Sequence, residues 1–285
     1  MGQGLNVSRK IPPRVGIGLR AQHYNALLES MPDIGWLEIH GENYFCDGGR
    51  PLRVLDRLRV HYPLSVHCVG LSLGSADGLN AGHLRKLKTL VDRFEPDLVS
   101  DHLSWGAVDG VHFNDLLPLP YTDEALDVVC RNIDAAQCQL GRAILLENVS
   151  SYLTYRHSTI PEWEFIGEIS RRTGCGILLD INNIYVNAVN HGVDARDFLH
   201  GIPVAAVREL HLAGFEDGGD CLIDTHSRPV ADPVWELYAE ALGRFGSLPT
   251  LIEWDSDLPP LATLLEEARK AEHMLSGEKY ASLVA

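Results

Sequence analysis

Basic residues are scarce in this chain, with 24 Lys+Arg against 39 Asp+Glu and a formal net charge of -15. An acidic surface repels phosphate backbones, so nucleic acid is not the expected partner. None of the six cysteines is spaced C-x-x-C with another. Cys46, Cys68, Cys130, Cys138, Cys175 and Cys221 therefore read as small hydrophobes of a reducing compartment, without disulfides. No apolar stretch approaches the roughly 18 residues of a spanning helix. The opening "MGQGLNVSRKIPPR" lacks the apolar segment of a secretory signal. The expectation is a soluble, cytoplasmic protein with no membrane partner. The first strand-like run is followed by "GIGLRAQ", whose spacing is wrong for G-x-G-x-x-G, and no P-loop occurs.

What remains is a regular alternation. Of the 285 residues, 45% are hydrophobic, enough for a sizeable core. Strand-like runs fall at 14–19, 35–40, 64–70, 97–104, 143–150, 176–183, 207–214 and 249–255. Amphipathic helical patterns lie between them, at 81–94, 122–140 and 232–245, with a last one at 259–274. Pro and Asp often open these helices, as capping requires. Evenly spread strands, each followed by helix or loop, predict an α/β protein with a TIM-type (β/α)8 barrel rather than an open doubly wound sheet. The expected division is a flexible N-terminus at 1–13, one barrel metalloenzyme domain at 14–276, and a tail at 277–285.

Barrel active sites gather where strands end. Strand two ends in Glu38, His40, Glu42 and Asn43; strand three carries His67. The fourth carries Asp101 and His102, the fifth Glu147 and Asn148, and the sixth Asp180, Asn182 and Asn183. The seventh supplies His211 and its following loop Asp224 and His226, while the eighth supplies Glu253 and Asp255. Adjacent strand residues face opposite ways, so one of Asp101 and His102 points inward and the other supports it, and likewise for Glu147 and Asn148. Cys68, next to His67, should face away from it.

Taken singly, each residue has an ordinary explanation. A histidine at a strand end is usually a hydrogen-bonded structural group, a lone Asp before a helix is usually a cap, and Asn182 and Asn183 could form a turn. Taken together they do not. Glu147, Asp180, Asp224 and Glu253 would put four carboxylates in one cleft, which calls for bound protons or bound cations. Interleaved histidines supply neutral nitrogen ligands. A nitrogen and oxygen set without thiolate suits iron, manganese or catalytic zinc, and there are too many candidates for one ion.

The segments "GWLEIHGENYF", "LSVHCVGLSLGS", "SDHLSW", "FNDLLPLPY", "LLENVSSY", "LLDINNIYVNA", "ELHLAGF", "IDTHSRPV" and "LIEWD" resemble the multinuclear non-haem iron-dependent oxidases, the family that includes the methanobactin-biosynthesis oxidase. The likeness runs from about residue 14 to 275. It implies a TIM-type barrel holding two or three irons, with O2 as co-substrate. It implies modification of cysteines in a ribosomally made precursor peptide, and a small partner protein that presents the leader. The implied ligands are His67, His102, Glu147, Asp180, Asn183, His211, Asp224, His226 and Glu253. Among them Asp180, Glu147 and His211 are expected to be catalytic. Asp180, His211 and Glu253 would serve one iron, Asn183, Asp224 and His226 another, and His67 and His102 the remaining one, with Glu147 bridging.

Two other readings fit the residue types. One is a xylose-isomerase-like or endonuclease-like barrel using zinc or manganese without redox chemistry. The other is a non-catalytic protein that binds metal or peptide.

Overall fold

The computed structural model describes residues 10–277, so the expectations for the extreme ends fall largely outside the described residues. Twelve strands occur among them: β1 Val15–Gly18, β2 Leu37–His40, β3 Leu64–His67, β4 Leu98–His102, β5 Trp105–Val108, β6 Val111–Leu117, β7 Leu145–Glu147, β8 Gly176–Asp180, β9 Val207–Leu212, β10 Glu216–Asp217, β11 Leu222–Ile223 and β12 Thr250–Ile252. The α-helices are α1 Tyr24–Ser30, α2 Arg50–Leu58, α3 Ala81–Phe94, α4 Asp123–Leu140, α5 Glu162–Thr173, α6 Ile181–His191, α7 Ala195–Gly201, α8 Asp232–Phe245 and α9 Leu261–Leu275. Eight strands close a parallel barrel in the order β1-β12-β9-β8-β7-β4-β3-β2, as the sequence predicts. No helix among the described residues is long and apolar enough to cross a membrane.

Residue alternation divides each barrel strand between two environments. Leu37, Ile39, Val66, Val99, Leu146, Leu179, Leu210 and Ile252 join the apolar core shared with the helices. The opposite set, which includes Glu38, Ser65, His67, Ser100, Glu147, Asp180, Glu209 and His211, is just as buried. Barrel interiors are ordinarily filled by Val, Ile and Leu; this one is polar. Strand β1 contributes Gly16 and Gly18 to the interior. A Cβ on Gly16 would lie 2.4 Å from the Trp36 indole, and one on Gly18 would lie 2.7 Å from the Arg20 guanidinium. The glycines make room for an indole at the N-terminal end and a cation near the C-terminal end.

Register brings the chemistry to one rim. His40 pairs with His67, His102 with Glu147, and Asp180 with His211. The last pairing depends on an irregularity in β9: Ile177 faces Val207, but the next residue, Leu178, faces Glu209. The extra residue in β9 shifts its register by one, so that His211 rather than Leu210 lies opposite Asp180.

Two antiparallel hairpins, β5–β6 and β10–β11, sit in the loops after β4 and β9. The first turns at Asp109 (φ 50) and Gly110 (φ 74), the left-handed pair that a two-residue hairpin needs. The predicted strand at 176–183 is corrected: β8 stops at Asp180 and α6 begins at Ile181. Asp180 accepts the Asn183 N–H at 2.6 Å and caps that helix. The runs expected at 64–70, 97–104, 143–150, 207–214 and 249–255 likewise end as strands earlier, because the chain turns outward into its loops.

The loop after β9 returns against its own start. A Cβ on Gly214 would meet the Arg228 carbonyl oxygen at 2.2 Å and that of Pro229 at 2.4 Å. Backbone atoms cannot swing aside as a side chain can. Gly214→Ala should therefore cost about 1–3 kcal/mol and lower the thermal midpoint by several degrees. A midpoint equal to the wild type would contradict this packing.

Candidate metal centre

Three atoms converge at the rim between β3, β4 and β7. His67 Nε2 lies 3.2 Å from Glu147 Oε2, and His102 Nε2 lies 3.1 Å from the same oxygen. Neither contact is a hydrogen bond, and Glu147 Oε2 is buried without a partner. His102 Nδ1 is 3.1 Å from the Cys68 carbonyl, which only accepts, so Nδ1 carries the proton. His67 Nδ1 is 2.8 Å from Ser100 Oγ, a hydroxyl that can donate or accept. Burial pushes the His102 imidazole down to about 4 and holds His67 well below the usual range, so both rings are neutral near pH 7. Two neutral imidazole nitrogens thus lie within 3.2 Å of one carboxylate oxygen with no hydrogen bond aligned between them. A cation fits that arrangement, and it fits the donor set.

Glu147 extends into a second group. Ligand atoms of Glu147, Asp180, His211 and Glu253 all lie within 4.8 Å of one another. His211 Nδ1 is 2.9 Å from Glu253 Oε2 and 3.7 Å from Glu147 Oε1. Asp180 divides its oxygens: Oδ1 caps α6, while Oδ2 is buried without a partner. Burial raises Glu147 well above the carboxylate range and lifts Asp180 to about 7. Burial also opposes charge on His211, but Glu253 and Glu38 overcome it and raise that ring well above its usual value. The same histidine, with His226, outweighs burial at Glu253 and holds it well below.

Asn183, Asp224 and His226 line the cleft beside this group. His226 Nε2 stands 2.7 Å from Asp224 Oδ1 and 4.0 Å from Asp180 Oδ2, in neither case aligned for a hydrogen bond. Asn183 Oδ1 is buried and unpartnered. Asp224 is held from the other side by Ser150 Oγ and by Asn182 Nδ2, each at 2.9 Å. Asn182 is therefore no turn residue: it lies in the first turn of α6 and orients Asp224. His226 has φ 45, an uncommon value for a non-glycine residue that turns its ring toward Asp255, with Nδ1 3.2 Å from Oδ2.

The alternation argument holds at both doubtful pairs. Asp101 faces away from the cleft, accepting the N–H groups of Leu71 and His102, while His102 faces Glu147. Asn148 bonds the Asp180 backbone on both its N–H and C=O, and Glu147 faces in. Glu42 accepts the N–H groups of Val69 and Gly70 and groups with Cys68 and Asp101, apart from the cluster around Glu147.

Sequence reasoning misses two residues. Arg20, 7% exposed, donates through Nη2 to Asp255 and lies 2.8 Å from His40 Nε2. Glu209, fully buried, lies 3.7 Å from His211 Nε2. The signal for Glu209 is its spacing of two from His211 on one strand; nothing in the sequence marks Arg20 as buried.

The cleft over these groups measures about 430 Å³. Val69, Tyr152 and Leu153 on its wall are between 44% and 52% exposed. A larger cleft of about 1240 Å³ opens among the N-terminal ends of β4, β7, β8 and β9 and holds none of the clustered ligands.

Residues 14–276 match the family model described as RiPP precursor modification enzyme MbnB/TglH/ChrH. The chain belongs to this family. A UPF0276 protein of Vibrio vulnificus is 53% identical over 267 residues, covering 92% of each chain. Another, of Caulobacter vibrioides, is 49% identical over 271 residues, covering 95% of this chain and 97% of its own. Among solved structures, a xylose isomerase domain containing protein of Salmonella typhimurium aligns with a TM-score of 0.63 at 14% identity, covering 94% of this chain and 99% of its own. Endonuclease IV of Thermus thermophilus aligns at 0.59 and 14% identity, covering 91% and 98%. At such identities the likeness carries the barrel alone.

The raised carboxylates give the centre a pH dependence. Protons on Glu147 and Asp180 compete with a cation, because their pKa values lie above those of free carboxylates. Affinity for Co2+ should rise between pH 6 and 8, by up to about tenfold per unit for each proton displaced. Cobalt titrations at pH 6, 7 and 8 measure this, and equal affinities would contradict it.

Proposed function

We propose that this chain is a multinuclear non-haem iron oxidase that uses O2 to modify cysteine residues of a ribosomally synthesised precursor peptide. The observation that supports it most is that Glu147 is shared between two buried ligand groups, one with His67 and His102 and one with Asp180, His211 and Glu253. One carboxylate serving two adjacent sites is what a multinuclear centre needs. In this reading His67, His102 and Glu147 hold one iron, and Asp180, His211 and Glu253 hold a second. Asn183, Asp224 and His226 hold a third. Iron, when bound, supplies the one-electron chemistry by which O2 is put to use.

The protein's own groups do the rest. Glu147, Asp180 and His211 are the catalytic residues of this scheme, since they surround the point shared between sites. The Cys68 carbonyl fixes the tautomer of His102, and Ser100 holds the His67 ring through Nδ1. Asp255, anchored by Arg20, orients His226 through Nδ1. The apolar wall of Val69, Tyr152 and Leu153 keeps bulk water from a reactive centre and offers a peptide contact surface. Family membership favours a precursor peptide as substrate. A small partner protein that presents the leader belongs to the proposal, as does a cytoplasmic setting.

The isomerase or hydrolase alternative draws on fold likeness only. Of the two, a phosphoester or nucleic-acid substrate would call for cations at the mouth, and no Lys or Arg lines the described cleft.

Iron-loaded protein incubated with its cysteine-containing precursor peptide should form product in air and none without oxygen. Undiminished anaerobic product would sink the oxidase reading. Asp180→Asn keeps an acceptor for the α6 cap and removes the charge. It should lower iron content by at least one ion per chain and abolish turnover while far-UV circular dichroism is retained. Full iron content in that variant would refute the ligand role of Asp180.

A further inference from the structure

We propose that Glu209 is the positioning residue of His211: it accepts the Nε2 proton and thereby commits Nδ1 to the metal cluster. The inference rests on the reading that Glu147, Asp180, His211 and Glu253 hold a metal ion, and it goes beyond that set.

His211 is completely buried and has a different environment at each ring nitrogen. Nδ1 faces Glu253 and Glu147. Nε2 faces the barrel interior, 3.7 Å from Glu209 Oε1 and 3.6 Å from Glu38 Oε2. Both carboxylates are 0% exposed, and all four of their oxygens lack a hydrogen-bond partner. Burying a carboxylate without a partner costs several kcal/mol, so packing does not explain these residues where Val, Ile or Leu would fill the space. His211 Nε2, itself buried without a hydrogen-bond partner, is the nitrogen that stands beside both.

One imidazole N–H cannot serve two carboxylates equally, and the geometry divides the work. Glu209 stands two residues before His211 on β9, on the same face of the strand. Its position relative to the ring is fixed by one stretch of backbone. Glu38 reaches the ring from β2, three strands away round the barrel, so its distance is set by barrel closure and not by one strand. A carboxylate behind a ligating histidine fixes its tautomer and strengthens the opposite nitrogen as a donor; loss of such a partner typically costs 10- to 100-fold in metal affinity.

Co2+ tests this without iron, oxygen or peptide. The full chain, stripped of metal, is titrated with Co2+ and followed by visible absorption, alongside Glu209→Gln and Glu209→Leu. The Gln variant retains volume and a weaker neutral acceptor; the Leu variant removes the acceptor and suits a barrel interior. The expected result is a Co2+ affinity lowered about 10-fold by Gln and about 100-fold by Leu. The d–d bands should shift, and the number of Co2+ bound at saturation should be unchanged. Bulk destabilisation would not move those bands, and circular dichroism checks folding. Affinities and spectra within twofold of the wild type in a folded Gln variant would overturn the proposal. So would the loss of one Co2+ per chain at saturation, which would make Glu209 a ligand of its own ion. A wild-type chain that takes up no Co2+ would overturn the metal reading first and this one with it.

Discussion

Glu147 sets one oxygen beside two imidazole nitrogens and the other toward a buried imidazole, and the rest of the rim is arranged around that conflict. A carboxylate enclosed in a barrel has no water to stabilise its charge. It takes a proton, finds a cation, or drives the fold apart. Here the neighbouring strands supply groups that are each half-satisfied. His67 and His102 spend one nitrogen on the scaffold, and Asp180 spends one oxygen on a helix cap. The unspent atoms point at one another. A scaffold that satisfied them internally would have no reason to bind anything.

Strand register enforces this geometry. Parallel pairing sets Glu147 beside His102, and the extra residue in β9 sets His211 beside Asp180. Without that residue an apolar leucine would occupy the position. The loop after β9 is held by a backbone contact at Gly214 too close for any side chain, and it carries Asp224 and His226 back over the rim. Strands place the lower groups rigidly, and a clamped loop closes the upper ones.

Much of this was legible in the sequence because two periodicities coincide. Apolar residues at alternate positions give the strands, and the first polar residues after each run give the rim. His67, His102, Glu147, Asp180, His211 and Glu253 all follow from that rule. It misleads at 181–183, where Ile and Asn continue a strand-like pattern but the Asp180 carboxylate captures the Asn183 N–H and starts a helix. Local capping wins over β-propensity there. The Asp109-Gly110 pair is a strong hairpin signal that a barrel-minded reading passes over. Arg20 is invisible for another reason: only closure of the barrel decides that a charge two residues from a glycine lies inside, whereas Glu209 shares the two-residue period of His211 and could have been read from it.

At the other end of the barrel, Trp36 is fully buried and its indole occupies the space that Gly16 leaves free. That indole plugs the barrel interior beside β1, at the end opposite the ligand rim. The cleft over the clustered ligands opens at the C-terminal ends of the strands. If that mouth receives a peptide, as proposed, the seated chain also stands in the path of small molecules to the rim.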